Sequence, residues 1–196
     1  MERFFNNAGP TVPADHYHID PLSRVDWGDI EHLIAQKRYF VLHAPRQTGK
    51  TTTLLTMMQA LNEQGDYACA YANIEGAQAA RGDESKGIPT VCSALARSIE
   101  DYLGTQAVNV WWHETGRYEQ PQDQMTQLLR YWAKQSALPT VLFLDEVDAL
   151  VGDTLILCCA RSVLAMPSAR RRFLSRLSCA ASAMYATTAC TRKAPR

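Results

Sequence analysis

Residues Tyr39 to Met58 read YFVLHAPRQTGKTTTLLTMM. The run Tyr39 to His43 is a compact β-prone stretch, ended by the Ala-Pro that follows. Ala44 to Thr51 then has the spacing of the phosphate loop G-x-x-x-x-G-K-[ST], with alanine in place of the first glycine. Leu54, Leu55, Met58 and Leu61 recur at helical spacing, and Gly65 is placed to end that helix. A strand before the loop and a helix after it form the context in which this motif works. Successive backbone N–H groups make an anion-binding concavity, and the helix start adds partial positive charge. The bland alternative is a chance Gly-Lys-Thr ahead of an ordinary helix. Strand, loop and helix in one register weigh against it.

The loop assigns a task to each residue. Ala44, Pro45, Arg46, Gln47, Thr48, Gly49, Lys50, Thr51 and Thr52 are expected to line the phosphates of a bound nucleotide. Gly49 lets the backbone approach without a Cβ in the way. Lys50 is placed to reach the β- and γ-phosphates, and the Thr51 hydroxyl to ligate Mg²⁺. Ala44 disfavours a positive φ, so the loop has to tolerate a methyl group there. Pro45 stiffens the next step, and Arg46 and Gln47 can simply face solvent.

A second motif lies downstream. Val141 to Leu150 reads VLFLDEVDAL, four apolar residues and then two carboxylates at the C-terminal end of a strand. In open α/β sheets ligands bind beyond those strand ends. Asp145 is expected to contact Mg²⁺, usually through water, and Glu146 to orient or activate the attacking water. Alone, an Asp-Glu pair after a strand is more often a solvated turn; together with the upstream loop, the functional reading wins. Asp148 reads as a helix-start residue, with a catalytic role open.

The remaining pattern supplies a frame. At 196 residues, 46% hydrophobic and 20% charged, the chain has the size and composition of one globular domain. No apolar run approaches the roughly 20 residues of a membrane span, and MERFFNNAGP lacks the layout of a secretory signal. A cytoplasmic protein with no membrane partner is therefore expected. Residues 1–24 read as an extended arm, 25–156 as the core, and 157–196 as an atypical tail. From Asp26, Ile30, Leu33 and Ile34 mark a short amphipathic helix, and Tyr67 to Ile74 a second strand. After a polar loop, EGAQAARGDESKG, Pro89 opens a helix carrying Cys92, Leu95, Ala96, Ile99 and Leu103 up to Gly104. Pro121 opens another, with Met125, Leu128, Leu129 and Trp132 inward, and Thr140 to Leu144 is a strand buried on both faces. Strands alternating with helices argue for an α/β fold, a three-layer parallel sheet with flanking helices. Trp111, Trp112 and Tyr131 read as core or lid packing rather than base-stacking platforms. His16, His32, His43 and His113 show no metal spacing.

The two motifs resemble the Walker A and Walker B elements of P-loop ATPases that carry a catalytic Glu beside the Walker B Asp. More narrowly, FFNNAGPTVP, HYHIDPLSR and RYFVLHAPRQTGKTTTL together resemble bacterial AAA-like ATPases of the origin-recognition-like type, over roughly residues 4–156. The A-P-R-Q-T-G-K-T form occurs in such relatives, so the alanine does not disqualify the site. The resemblance implies an ATP-binding domain that couples ATP binding and hydrolysis to conformational change. It also implies a further C-terminal module, sometimes a restriction-type nuclease, through which DNA or a protein partner would be engaged. Residues before the first strand would pack near the adenine; Tyr17, His18 and Ile19 are the candidates, with His18 read first as a solvated arm residue. A parallel strand bearing a sensor-1 polar residue would follow Walker B and insert between the two motif strands. Arginine fingers and a nucleotide-covering lid would come later.

The tail departs from that plan. Up to Ile156 there are 12 Lys+Arg against 20 Asp+Glu; from Leu157 to Arg196 there are 8 basic residues and no acidic one. Four of the six cysteines, Cys158, Cys159, Cys179 and Cys190, lie there without zinc-site spacing. A basic nucleic-acid-binding tail is one reading. An out-of-frame translation is the preferred one, because codons can be chosen so that the neighbouring frame encodes an amphipathic helix and an apolar strand. On that reading the fold is incomplete at its C-terminus. The sheet centre is expected to lack a partner strand, since nothing in the pattern of tail residues such as Phe173 to Ala189 suggests that they fill the gap, and hydrolysis to be weak or absent. A nucleotide-dependent signalling switch, a small-molecule kinase and a non-functional product stand as alternatives. The oligomeric state is not legible.

Overall fold

The computed structural model describes residues 3–6, 11–45, 47–150, 152–156 and 158, and the backbone of 183–188. Helix α1, Trp27–Ala35, is opened by Asp26, whose carboxylate accepts the Asp29 N–H, filling one of the donors a helix start leaves free. Helix α2, Lys50–Gln64, begins at Gly49 and ends at Gly65, both left-handed. Strand β1, Ala68–Asn73, follows. Helices α3, Glu84–Leu103, α4, Ala107–Glu114, and α5, Pro121–Gln135, lead into strand β2, Thr140–Asp145.

Pro121 takes the first position of α5, as expected. Pro89 does not open its helix. Asp83 caps α3 one turn earlier, its carboxylate accepting from the Ser85 N–H and hydroxyl, so Pro89 lies inside the helix. An Asp cap satisfies orphan amides, which a proline at the first position merely avoids.

Strand alternation divides the core into two layers of packing. Ala70, Ala72, Leu142 and Leu144 face α3, α4 and α5. Cys69, Tyr71, Val141 and Phe143 face α1 and α2. The three-layer arrangement follows from that period of two, since both faces of each strand must be covered. Trp112 is buried in the first layer, and Trp111 stacks on Tyr131 with centroids 4.8 Å apart, so these aromatics serve packing.

Strands β1 and β2 pair in parallel, from Ala68 with Thr140 to Asn73 with Asp145. Two expectations about the rest of the sheet need correction. Tyr39 to His43 is not a ladder strand, and only Val41 makes a bridge. Its side chains still alternate, with Tyr39 and Val41 against one core and Phe40 and Leu42 against the other. The segment packs in the sheet layer without pairing along the edge of β2 that faces away from β1.

That edge is taken by strand β3, Ala183–Thr188, antiparallel to β2 over six residues, from Thr140 with Thr188 to Asp145 with Ala183. The expected gap beside β2 is thus closed by tail residues, and the sheet is mixed rather than all parallel. Buried backbone amides and carbonyls of β2 require partners. AMYATT, free of Gly and Pro and rich in Tyr and Thr, can supply them.

Close packing at the start of α3 gives a test. A Cβ on Gly87 would lie 2.5 Å from Thr154 Cγ2, in the helical segment 152–156. Gly87→Ala should therefore destabilise by about 1–3 kcal/mol, outweighing the gain of about 1 kcal/mol in helix propensity. Thr154→Ala, which also removes a buried hydroxyl that has no hydrogen-bond partner among the described residues, should recover part of that loss in denaturant titrations of the double variant.

Candidate functional site

Gly49 sits at φ +83° and starts α2, so the loop turns into the helix through a conformation that a side chain resists. An added Cβ there would lie 3.2 Å from Arg24 Nη1. Arg24 closes the 3₁₀ turn Pro21–Arg24, so a second cation stands at the loop beside Lys50. Gln47 also adopts a positive φ, 59°, with its side chain exposed. Ala44 does not, so its methyl group costs the loop nothing in backbone strain. Thr48 Oγ1 donates to the Pro45 carbonyl at 2.7 Å, tying the loop across its base. Arg46 lies outside the described residues.

Lys50 folds back on the loop. Its ammonium donates to the Ala44 carbonyl at 3.0 Å and to the Pro45 carbonyl at 3.1 Å. An anion bound in the loop offers stronger, charge-assisted acceptors than two carbonyls. Thr52 accepts a bond from the Thr11 N–H at 3.3 Å, which holds the N-terminal arm against the start of α2. Within the arm, Phe4 bridges to His16, whose Nδ1 accepts from the Val12 N–H. His18 is exposed, as its solvated reading required, and Tyr17 and Ile19 are 52% and 72% exposed.

The strand tip meets the loop at one oxygen. Thr51 Oγ1 donates to Asp145 Oδ2 at 2.6 Å, across 94 positions of sequence. Tyr71 Oη donates to the same oxygen at 3.0 Å, and the Glu146 N–H donates to Oδ1 at 3.0 Å. Asp145 is 1% exposed, and among the described residues no cation pairs with it. A buried carboxylate held only by neutral donors is an incomplete arrangement. Mg²⁺ suits it, because the donors are hard oxygens and this ion commonly takes one or two carboxylates together with phosphate oxygens. No cluster of three or more His, Cys, Asp or Glu among the described residues could hold a metal unaided.

Glu146 turns the chain out of β2 at φ +58°, a left-handed conformation unusual for a residue with a side chain. Partial burial pushes its carboxyl above the ordinary glutamate range. Asp145, Asp148 and Glu75 raise it further, and Lys50 opposes them. Asp148 lies in the 3₁₀ turn Val147–Ala149, exposed. Ala44, Gly49, Lys50, Thr51, Asp145 and Glu146 therefore converge on one place. Tyr71 and Arg24 join them there, and the motifs point to neither. Tyr71 occupies an apolar strand and Arg24 a polar arm, so only the folded chain brings them in.

The raised carboxyl gives a stability test. Because the folded state holds the Glu146 proton more tightly than the unfolded state, ionisation costs stability as pH rises above the ordinary glutamate range. Glu146→Gln should raise the melting temperature of the metal-free protein near neutral pH. The gain should fade in acid, where both states are protonated.

Two comparisons with known proteins return nothing, since neither a curated protein nor a solved structure matches the chain. A family model described as an AAA domain matches residues 34–175, more than two thirds of the sequence. The match begins within α1, takes in both motifs and runs past residue 157, where the composition changes.

Proposed function

Because the chain belongs to the AAA domain family, an α/β P-loop ATPase fold, we propose that it binds Mg·ATP between the loop 44–52 and the tip of β2, and couples that binding to conformational change. The observation that supports this most directly is the hydrogen bond from Thr51 to Asp145. It joins the loop and the strand tip at one buried oxygen, which neither motif does alone.

On this reading the loop amides and the start of α2 receive the phosphates. Lys50 exchanges the Ala44 and Pro45 carbonyls for phosphate oxygens, and Arg24 adds charge at the loop mouth. Mg²⁺, held by Thr51 and Asp145 together with the phosphates, would offset negative charge on the phosphoryl oxygens. Glu146 accepts a proton from the attacking water as its oxygen bonds to the γ-phosphorus and ADP leaves. A raised carboxyl affinity for protons suits a general base working near neutral pH.

Turnover is proposed to be slow. The strand beside β2 is antiparallel and drawn from 183–188, whereas the resemblance implies a parallel strand bearing a sensor-1 polar residue. A DNA or protein partner, engaged through a further module, belongs to the same proposal. No described helix is long and apolar enough to cross a membrane.

Binding and turnover are separable. Lys50→Ala should abolish binding of a fluorescent ATP analogue, and undiminished binding would refute the site. Glu146→Gln should keep Mg·ATP binding within a few-fold and lower phosphate release by at least about 100-fold, in line with loss of a positioned general base.

A further inference from the structure

We infer that Tyr71 is a positioning residue for the metal-binding carboxylate. Its hydroxyl fixes Asp145 so that Thr51 and the strand tip present their oxygens to Mg²⁺ together. The inference rests on the proposed Mg·ATP site and adds a residue that neither motif contains.

Tyr71 lies in β1 opposite Phe143, two positions before the pair Asn73 and Asp145. Residues two apart on a strand share a face, so Tyr71 points to the α2 side, where Phe143 also packs. A tyrosine is long enough to reach diagonally past its direct partner. Its ring fills the core beneath the loop while its hydroxyl extends to Asp145 Oδ2, 3.0 Å away. Phenylalanine would meet the packing requirement equally well. The hydroxyl answers a different need: a buried Tyr O–H has to find an acceptor, and here the acceptor is the proposed metal carboxylate.

Asp145 then receives donors from three directions: the Thr51 hydroxyl, the Tyr71 hydroxyl and the Glu146 amide. A carboxylate has about four lone-pair positions, so roughly one is left for a metal-bound water. Three donors from three separate elements also fix the plane of the carboxylate. Removing the Tyr71 hydroxyl leaves Oδ2 with one donor, Thr51, in place of two, and leaves Oδ1 with the Glu146 amide, so the carboxylate is held less firmly in its plane. Hydrogen-bond partners of metal-ligating groups typically govern metal affinity by 10- to 100-fold. Tyr102, edge-on to the Tyr71 ring with centroids 6.3 Å apart, supplies a control that perturbs the ring but not the carboxylate.

The test titrates Mg²⁺ into the full chain at a fixed concentration of a fluorescent ATP analogue, for the wild type, Tyr71→Phe and Tyr102→Phe. Tyr71→Phe should raise the half-saturating Mg²⁺ concentration by about tenfold. Its affinity for the analogue in EDTA should stay within twofold of wild type, and Tyr102→Phe should behave as wild type throughout. An unmoved Mg²⁺ requirement, or an equal loss of affinity with and without metal, would assign Tyr71 to packing alone and overturn the inference. If Tyr71→Phe does not fold, the wild type labelled with ¹³C at tyrosine Cζ decides. The Tyr71 resonance should shift when Mg²⁺ is added to the nucleotide-bound protein, and a resonance that stays put overturns the inference. Wild type that binds no analogue at all removes the proposed site itself. Wild type with normal Mg²⁺ dependence beside an unaltered Tyr71→Phe removes only the role of Tyr71.

Discussion

The contact between Thr51 and Asp145 is the constraint on which the other features depend. It requires the start of α2 and the end of β2 to meet within 2.6 Å although 94 positions separate them. Helix α2 can hold that place because Leu54, Met57, Met58 and Leu61 bury their side chains against the face of the sheet that carries Val141 and Phe143. Burial of each large apolar side chain is worth roughly 1.5–3 kcal/mol. The polar meeting point is thus held by an apolar layer directly beneath it, and a carboxylate with little solvent access remains in place through three neutral hydrogen bonds.

The same layer explains where strain is tolerated. Left-handed residues at Gln47, Gly49 and Glu146 flank the meeting point, and each non-glycine example costs of order 1–3 kcal/mol. Such conformations persist when their surroundings over-determine them, and here α2 and β2 do so from both sides. Lys50 adds a self-contained closure of the loop through the Ala44 and Pro45 carbonyls. A bound triphosphate would replace those contacts rather than create order from a disordered segment.

Much of this was legible in the residues. The spacing from Ala44 to Thr51 and the apolar run ending at Asp145-Glu146 picked out the two segments that meet at Thr51 and Asp145. Helical periodicity located α1, α2 and α5, and the α3 face from Cys92 to Ile99 proved buried. What could not be read depends on tertiary neighbours. Asp83 captured the start of α3 because a capping carboxylate outcompetes a downstream proline. Tyr39 to His43 has the alternation of a strand and packs in the sheet layer, but it forms no ladder with the described strands. The pairing of Ala183–Thr188 follows from the needs of β2, not from any strong signal in the tail. Tyr71 was hidden by its own chemistry, because an aromatic in a buried strand reads as core until its hydroxyl is traced to Asp145.

The most direct examination is a crystal structure of the chain grown with a non-hydrolysable ATP analogue and Mn²⁺, with the metal located by its anomalous signal. A single peak within about 2.3 Å of Thr51 Oγ1, beside the Asp145 carboxylate and next to the analogue's phosphates on the loop, is the expected result. Nucleotide bound away from the loop, or metal found elsewhere while Thr51 and Asp145 keep only each other, would contradict it.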